Sequence, residues 1–327
     1  VSGLTRGGGS AVNVTAGTLR LNGANDDADY NGAWNVSAGA SLQMAHTAAR
    51  TLGAGFSATG AGRVVVDQGG ALVTTINGMA NSTATFALNN GGTLTASSAI
   101  SLGGLELTNG TVNGASAITV TGDVTMSNGN LAGAGSLAIG GNLLWSGGTI
   151  ARTGGVTLAG SGSTWSAGTL SGGTLTNNGT LRVTGATGTT VLTTATLANN
   201  GSLVIDKTGG VFYINTSGIL SNAAAATFDL QSDLGITSAT GGGSISNAGT
   251  LTKTAGTAAA IGSLVPVNFT NGSTVDVSAG REISFVGGGS FAGTVTGLGV
   301  GGTLDGGNWS SSGGTLAGQW QWRAGTL

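Results

Sequence analysis

The chain has no cysteine in 327 residues, a single proline, 5% aromatic residues and only 7% charged residues. Each scarcity removes a class of protein. Without cysteine there is no disulfide scaffold and no Cys-based zinc site, and the composition suits an exported bacterial chain that stays threadable before it folds. Lys and Arg number ten, never in a run, and the net charge is -2, so there is no electrostatic footprint for nucleic acid or an anionic membrane. No Pro-rich or charged linker interrupts residues 1–327, which predicts one domain. Glycine is what abounds, with 66 residues. Together with Thr and Val it opposes helix, because glycine is conformationally free and β-branched residues are stiff against a helical turn. Hydrophobic residues at 39% with so little net charge oppose disorder, and the absence of a Gly-X-Y period excludes collagen.

The glycines fall in a pattern. Thr108 to Met126, Ser127 to Trp145 and Ser146 to Thr164 align without a gap at a period of 19 residues. Gly110, Gly129 and Gly148 share a column, as do Val112, Leu131 and Ile150, or Ile118, Leu137 and Val156. A fixed period of this length signals stacked units, each too small to bury its own apolar face. Within a unit, apolar residues alternate over short runs such as Ile118-Thr119-Val120 and Val124-Thr125-Met126, with Gly and Asn between them. Period-2 alternation bounded by turn residues reads as short strands with one face inward. The reading is all-β: a parallel β-helix (β-solenoid) with about three short strands per coil, coils of about 19–23 residues, and about sixteen coils in all, each strand pairing its equivalent one coil away.

The marker of a small or Asn residue, Gly, Thr or Ser, then an aliphatic recurs outside the central block, at Ala16 to Leu19, Gly91 to Leu94, Asn178 to Leu181, Asn200 to Leu203 and Ala248 to Leu251. The step from Gly201 to Gly249 is 48 residues, which predicts two coils. Asn22 to Trp34 and Ser238 to Ser244 are expected to leave the coil as surface loops. Neither end carries a recognisable cap, signal or membrane span, which leads to the expectation of a segment of a longer exported protein, or of copies stacking end to end. Asn90, Asn109, Asn128, Asn178, Asn200 and Asn271 precede marker glycines and read as turn residues whose amides can form a ladder.

The coils Gly173 to Val183 (GTLTNNGTLRV), Leu197 to Ile205 (LANNGSLVI), Ser246 to Gly256 (SNAGTLTKTAG) and Phe269 to Gly280 (FTNGSTVDVSAG) resemble the passenger repeats of bacterial autotransporters and filamentous-haemagglutinin-type exported proteins. The resemblance implies a right-handed coil, export across a Gram-negative envelope, and a place outside the cell or on its surface.

Candidate sites are sparse. Asp27, Asp29 and Asn31 match the first half of a calcium loop, D-x-[DN]-x-[DN]-G, but position twelve, where a bidentate Glu belongs, is Ala38. Calcium or a solvated acidic loop are the two readings. Trp309, Trp320 and Trp322 can either stack on sugars or cover a widened core. Asp26 and Asp27 with His46 and Arg50 suggest a check for polysaccharide lyase chemistry, which needs convergent acids and a base; the other acids are scattered singly, and His46, the only histidine, reads as an exposed polar residue. No catalytic residue and no cofactor are therefore expected. The function expected is a non-enzymatic rod of a surface protein (adhesin, filament or stalk), with copies of itself or surface glycans as partners, no nucleic acid, and no membrane insertion in this segment. The alternative is a polysaccharide-binding or polysaccharide-degrading β-helix.

Overall fold

The computed structural model describes residues 11–22, 32–67 and 72–327. Two compact units, Val1–Val156 and Thr157–Leu327, make up the chain. Each is built of parallel strands stacked as a β-solenoid of right-handed type, with about 13 turns in all and no helix among the described residues. The period-19 block gives the simplest coil. Thr111–Gly114, Ile118–Val120 and Val124–Met126 form one turn of it, and Asn130–Gly133, Leu137–Ile139 and Leu143–Trp145 form the next.

Register follows the sequence columns. Val112 pairs with Leu131 and Leu131 with Ile150; Ile118 pairs with Leu137, Val120 with Ile139, and Met126 with Trp145. All these side chains point inward and are buried. Burying each aliphatic residue of such a stack is worth roughly 1.5–3 kcal/mol relative to leaving it in water. The glycine column has a steric cause. Gly129 has φ +89°, and a Cβ there would lie 2.5 Å from the Gly110 carbonyl oxygen, so only glycine lets successive turns approach at the coil pitch.

Turns number about 13 rather than sixteen because coils outside the central block are longer. In the second unit Ser202 pairs with Thr227 and Thr227 with Thr250, steps of 25 and 23 residues that divide the expected 48 into two coils. The extra residues sit where a loop was expected. No strand lies between Leu230 and Ser244, and isolated bridges from Thr237 to Tyr213 and from Ile236 to Ile261 take the place of a third strand. Of the other expected loop, Asn22 to Trp34, residues 23–31 lie outside the described residues, and its C-terminal end needs correction. Trp34 belongs to the strand Gly32–Val36 and is fully buried, since alternation points it inward with Val36. The strands are three to six residues long except Gly289–Thr326, which is continuous ladder of 38 residues.

An amide ladder is present, centred one residue before the expected column. Asn177, Asn199, Asn222 and Asn247 face inward, each two residues after a buried aliphatic, and all are buried. Asn177 donates to Asn199 at 2.8 Å, Asn199 to Asn222 at 2.7 Å and Asn222 to Asn247 at 2.7 Å. Their second N–H bonds satisfy carbonyls at the starts of strands, such as Ser202 and Thr227. The expected column also pairs, through Asn200 to Asn178 at 3.0 Å, but it is exposed. The inner ladder stops where Asn247 pairs with Phe269. Asn199→Ala should cost about 2–4 kcal/mol by orphaning buried amide and carbonyl partners, and Asn200→Ala under about 0.5 kcal/mol; urea unfolding midpoints check the contrast, and equal effects would refute the inner ladder.

Candidate functional site

Inward alternation ends in a polar residue at several coil corners. Ile150-Ala151-Arg152, Ile205-Asp206-Lys207 and Leu251-Thr252-Lys253 each place a cation at an inward position, and all three cations are buried. Their head groups meet backbone carbonyls of preceding coils. Arg152 donates to Ala132 O at 2.6 Å and Ser116 O at 3.3 Å. Lys207 Nζ donates to Ser166 O and Thr184 O at 3.1 Å each and to Thr190 Oγ1 at 3.3 Å. Lys253 Nζ donates to Leu230 O at 3.3 Å, Ser232 O at 3.0 Å and Asp233 Oδ1 at 3.1 Å. Burial holds Arg152 and Lys207 below their ordinary pKa values, since desolvation disfavours the charged form. These cations tie one coil to the next.

The same parity overturns the reading of His46. It lies two residues after Met44 and is only 2% exposed, continuing the inward series of Leu42 and Met44 past the end of the strand Ser41–Met44. Arg50 is likewise buried at the start of Arg50–Leu52. Neither residue is placed at the surface as a substrate-facing base would be. Asp27, Asp29 and Asn31, with Asp26, lie outside the described residues. Among the described residues no three His, Asp or Glu side chains converge as metal ligands.

The tryptophans divide. Trp309 is 3% exposed, stacks on Phe291 at 4.8 Å with 13° between planes, and meets Phe285 edge-on at 6.4 Å. Trp320 is partly buried with its ring 6.2–6.5 Å from those of Phe269, Phe291 and Phe285. Both indole N–H groups donate to carbonyls three residues earlier, Gly306 and Ala317. Trp322 stands apart at 46% exposure and is the one member of the trio with a largely solvent-facing side chain.

One strand column in each unit carries several charged residues. Arg20, Gln43, Val65, Ala87 and Glu106 pair in succession in the first; Arg182, Val204, Asp229, Thr252 and Asp276 do so in the second. Ion pairs and amide contacts run along these columns. Arg63 Nε donates to Glu106 Oε1 at 3.1 Å, and Arg182 reaches Gln231 Oε1 at 3.1 Å and Asp206 at 3.4 Å. The outward positions on neighbouring strands, such as Ser101, Thr119 and Ala138 or Thr95 and Asn113, carry no charge.

No family model, curated protein or solved structure matches the chain.

Two carboxylates have shifted acidity. Burial alone would push Asp233 up, but the Thr257 N–H, the Lys253 ammonium and the Thr257 hydroxyl hold it below its ordinary 3.8. Glu282 is held below its ordinary 4.5 first by the Ser284 hydroxyl and, against desolvation, by Arg323 and Thr303. A carboxylate with a depressed folded value contributes stability that is present above its unfolded value and lost as pH falls through the folded one. Asp233 also accepts the backbone N–H groups of Thr257 at 2.7 Å and Ala258 at 3.1 Å. Amide protection factors at Thr257 and Ala258 should therefore hold down to about pH 4 and drop as the pH falls further, through the depressed folded value of Asp233; Asp233→Asn should lower them already at neutral pH and flatten the profile. Protection unchanged across that range would refute the clamp.

Proposed function

We propose that the chain is a non-enzymatic structural segment of an exported bacterial surface protein, serving as the stalk or body of an adhesin or filament. The observation that supports this reading is the direction in which its interactions run. Ladder hydrogen bonds, aliphatic stacks, the Asn177 to Asn247 amide ladder and the buried cations all connect one coil to the next. Interactions repeated at every coil resist extension locally, because each coil contacts chiefly its neighbours and can yield without collapse of the rest. That is mechanical chemistry, and three of the described carboxylates are engaged in it: Asp229 accepts from Thr254 and Gln231, Asp233 clamps the turn at Thr257, and Glu282 accepts from Ser284 and Arg323.

Pulling single molecules from their two ends should release length in successive coil-sized steps; a single cooperative collapse at low force would contradict the reading. Incubation with pectin and related polysaccharides, with and without calcium, should yield no unsaturated sugar product. Metal-dependent release of such products would overturn the non-enzymatic assignment and direct attention to Asp26, Asp27 and Asp29.

A further inference from the structure

Two recesses, one in each unit, share a composition that stacking does not require. In the first unit the recess has a volume of about 170 Å³, with Val65 and Ala87 as an aliphatic floor and Arg63, Glu106, Asn89 and Thr108 around it. In the second unit the recess has a volume of about 150 Å³, with Val300 and Gly301 at its base and Arg281, Glu282, Thr303 and Gln321 around it. Each is bordered by an Arg–Glu ion pair. Arg63 pairs with Glu106 across 43 residues, and Arg323 pairs with Glu282 at 2.6 Å across 41, so both bridges skip over an intervening coil. Each recess then adds one carboxamide, Asn89 or Gln321, and one threonine hydroxyl, Thr108 or Thr303.

The ion pairs cancel their own charge, leaving the first recess neutral and the second with the one further cation Arg281. What they offer is a set of side-chain donors and acceptors, the ion-paired Arg and Glu with an amide and a hydroxyl, beside a small apolar surface. A sugar ring presents the complement: hydroxyl groups at its rim, each able to donate and accept, and aliphatic C–H groups on its faces. Both volumes are below the roughly 300 Å³ of a small-molecule pocket, which suits one ring of a chain that continues into solvent. In the second recess the Arg281 Nε is shielded from solvent and lacks an acceptor, a cost of about 1–3 kcal/mol that a ligand-induced shift of the side chain would relieve. The recesses are also independent of Trp309 and Trp320, whose rings pack on phenylalanines.

We propose that these two recesses are saccharide subsites, each holding one pyranose unit of a polysaccharide. This goes beyond a structural role and stands whether or not the segment bears load.

Isothermal titration of the full chain with cellohexaose (neutral) and hexagalacturonate (acidic) tests it, with inorganic sulfate as the ion control. Saturable binding of sugar is expected, and Asn89→Ala and Gln321→Ala should each weaken one site by about tenfold while the double variant loses both. Hexagalacturonate should be favoured at the recess that carries Arg281. Thr108→Val and Thr303→Val supply a second, independent pair should the amide variants melt early. Absence of saturable binding by either hexamer at millimolar concentration would overturn the proposal. So would binding untouched by a folded double variant, or sulfate binding as tightly as the sugars.

Discussion

Everything in this protein depends on parallel strands stacking in register at one coil pitch. Parallel ladders place equivalent residues directly above one another, so an inward position must be filled by side chains that tolerate their own kind one step away. Leucine, valine and isoleucine do so by interdigitating, as Val112, Leu131 and Ile150 do. Asparagine does so by hydrogen bonding, with its amide donating to one neighbour while its carbonyl accepts from the other. A repeated buried lysine could not, because like charges at that spacing repel strongly in a low dielectric. The buried cations accordingly sit singly: Lys207 pairs in the ladder with Gly185, Lys253 with Val277, and Arg152 with Gly133.

The coil corners follow from the same constraint. Where a strand ends, its turn leaves carbonyls that the next ladder cannot reach, and unpaired buried carbonyls are costly. Asn199, Arg152, Lys207 and Lys253 all end an inward alternation, and all turn their donors onto backbone carbonyls, some in turns and some in the strands beside them. A structural amine and a structural amide thus solve one problem by two chemistries. The aromatic cluster of Phe269, Phe285, Phe291, Trp309 and Trp320 replaces both where the Asn ladder stops, filling the cross-section with rings.

Much of this architecture is legible in the residues. The 19-residue columns specify register, inward faces and the glycine turns, and the 48-residue gap specifies two coils, because stacking turns sequence period directly into spatial neighbourhood. What eluded the reading was polar residues at inward parity. His46 after Met44, Asn177 after Leu175 and Lys253 after Leu251 carry a signal, an aliphatic residue and then a polar one two places on, but hydrophilicity suggests solvent unless the carbonyls waiting at the corner are considered. The recesses were illegible for another reason: Arg63 and Glu106 lie 43 residues apart, and only coils of unequal length bring them together.

The chain contains two lysines, Lys207 and Lys253, and both are enclosed by the coils they join. Its outer surface therefore bears no side-chain amine. Reagents and enzymes that recognise a lysine side chain find none at the surface while the coils are closed, and cleavage after a basic residue is confined to arginine. The labelling of either lysine would report that a coil had opened.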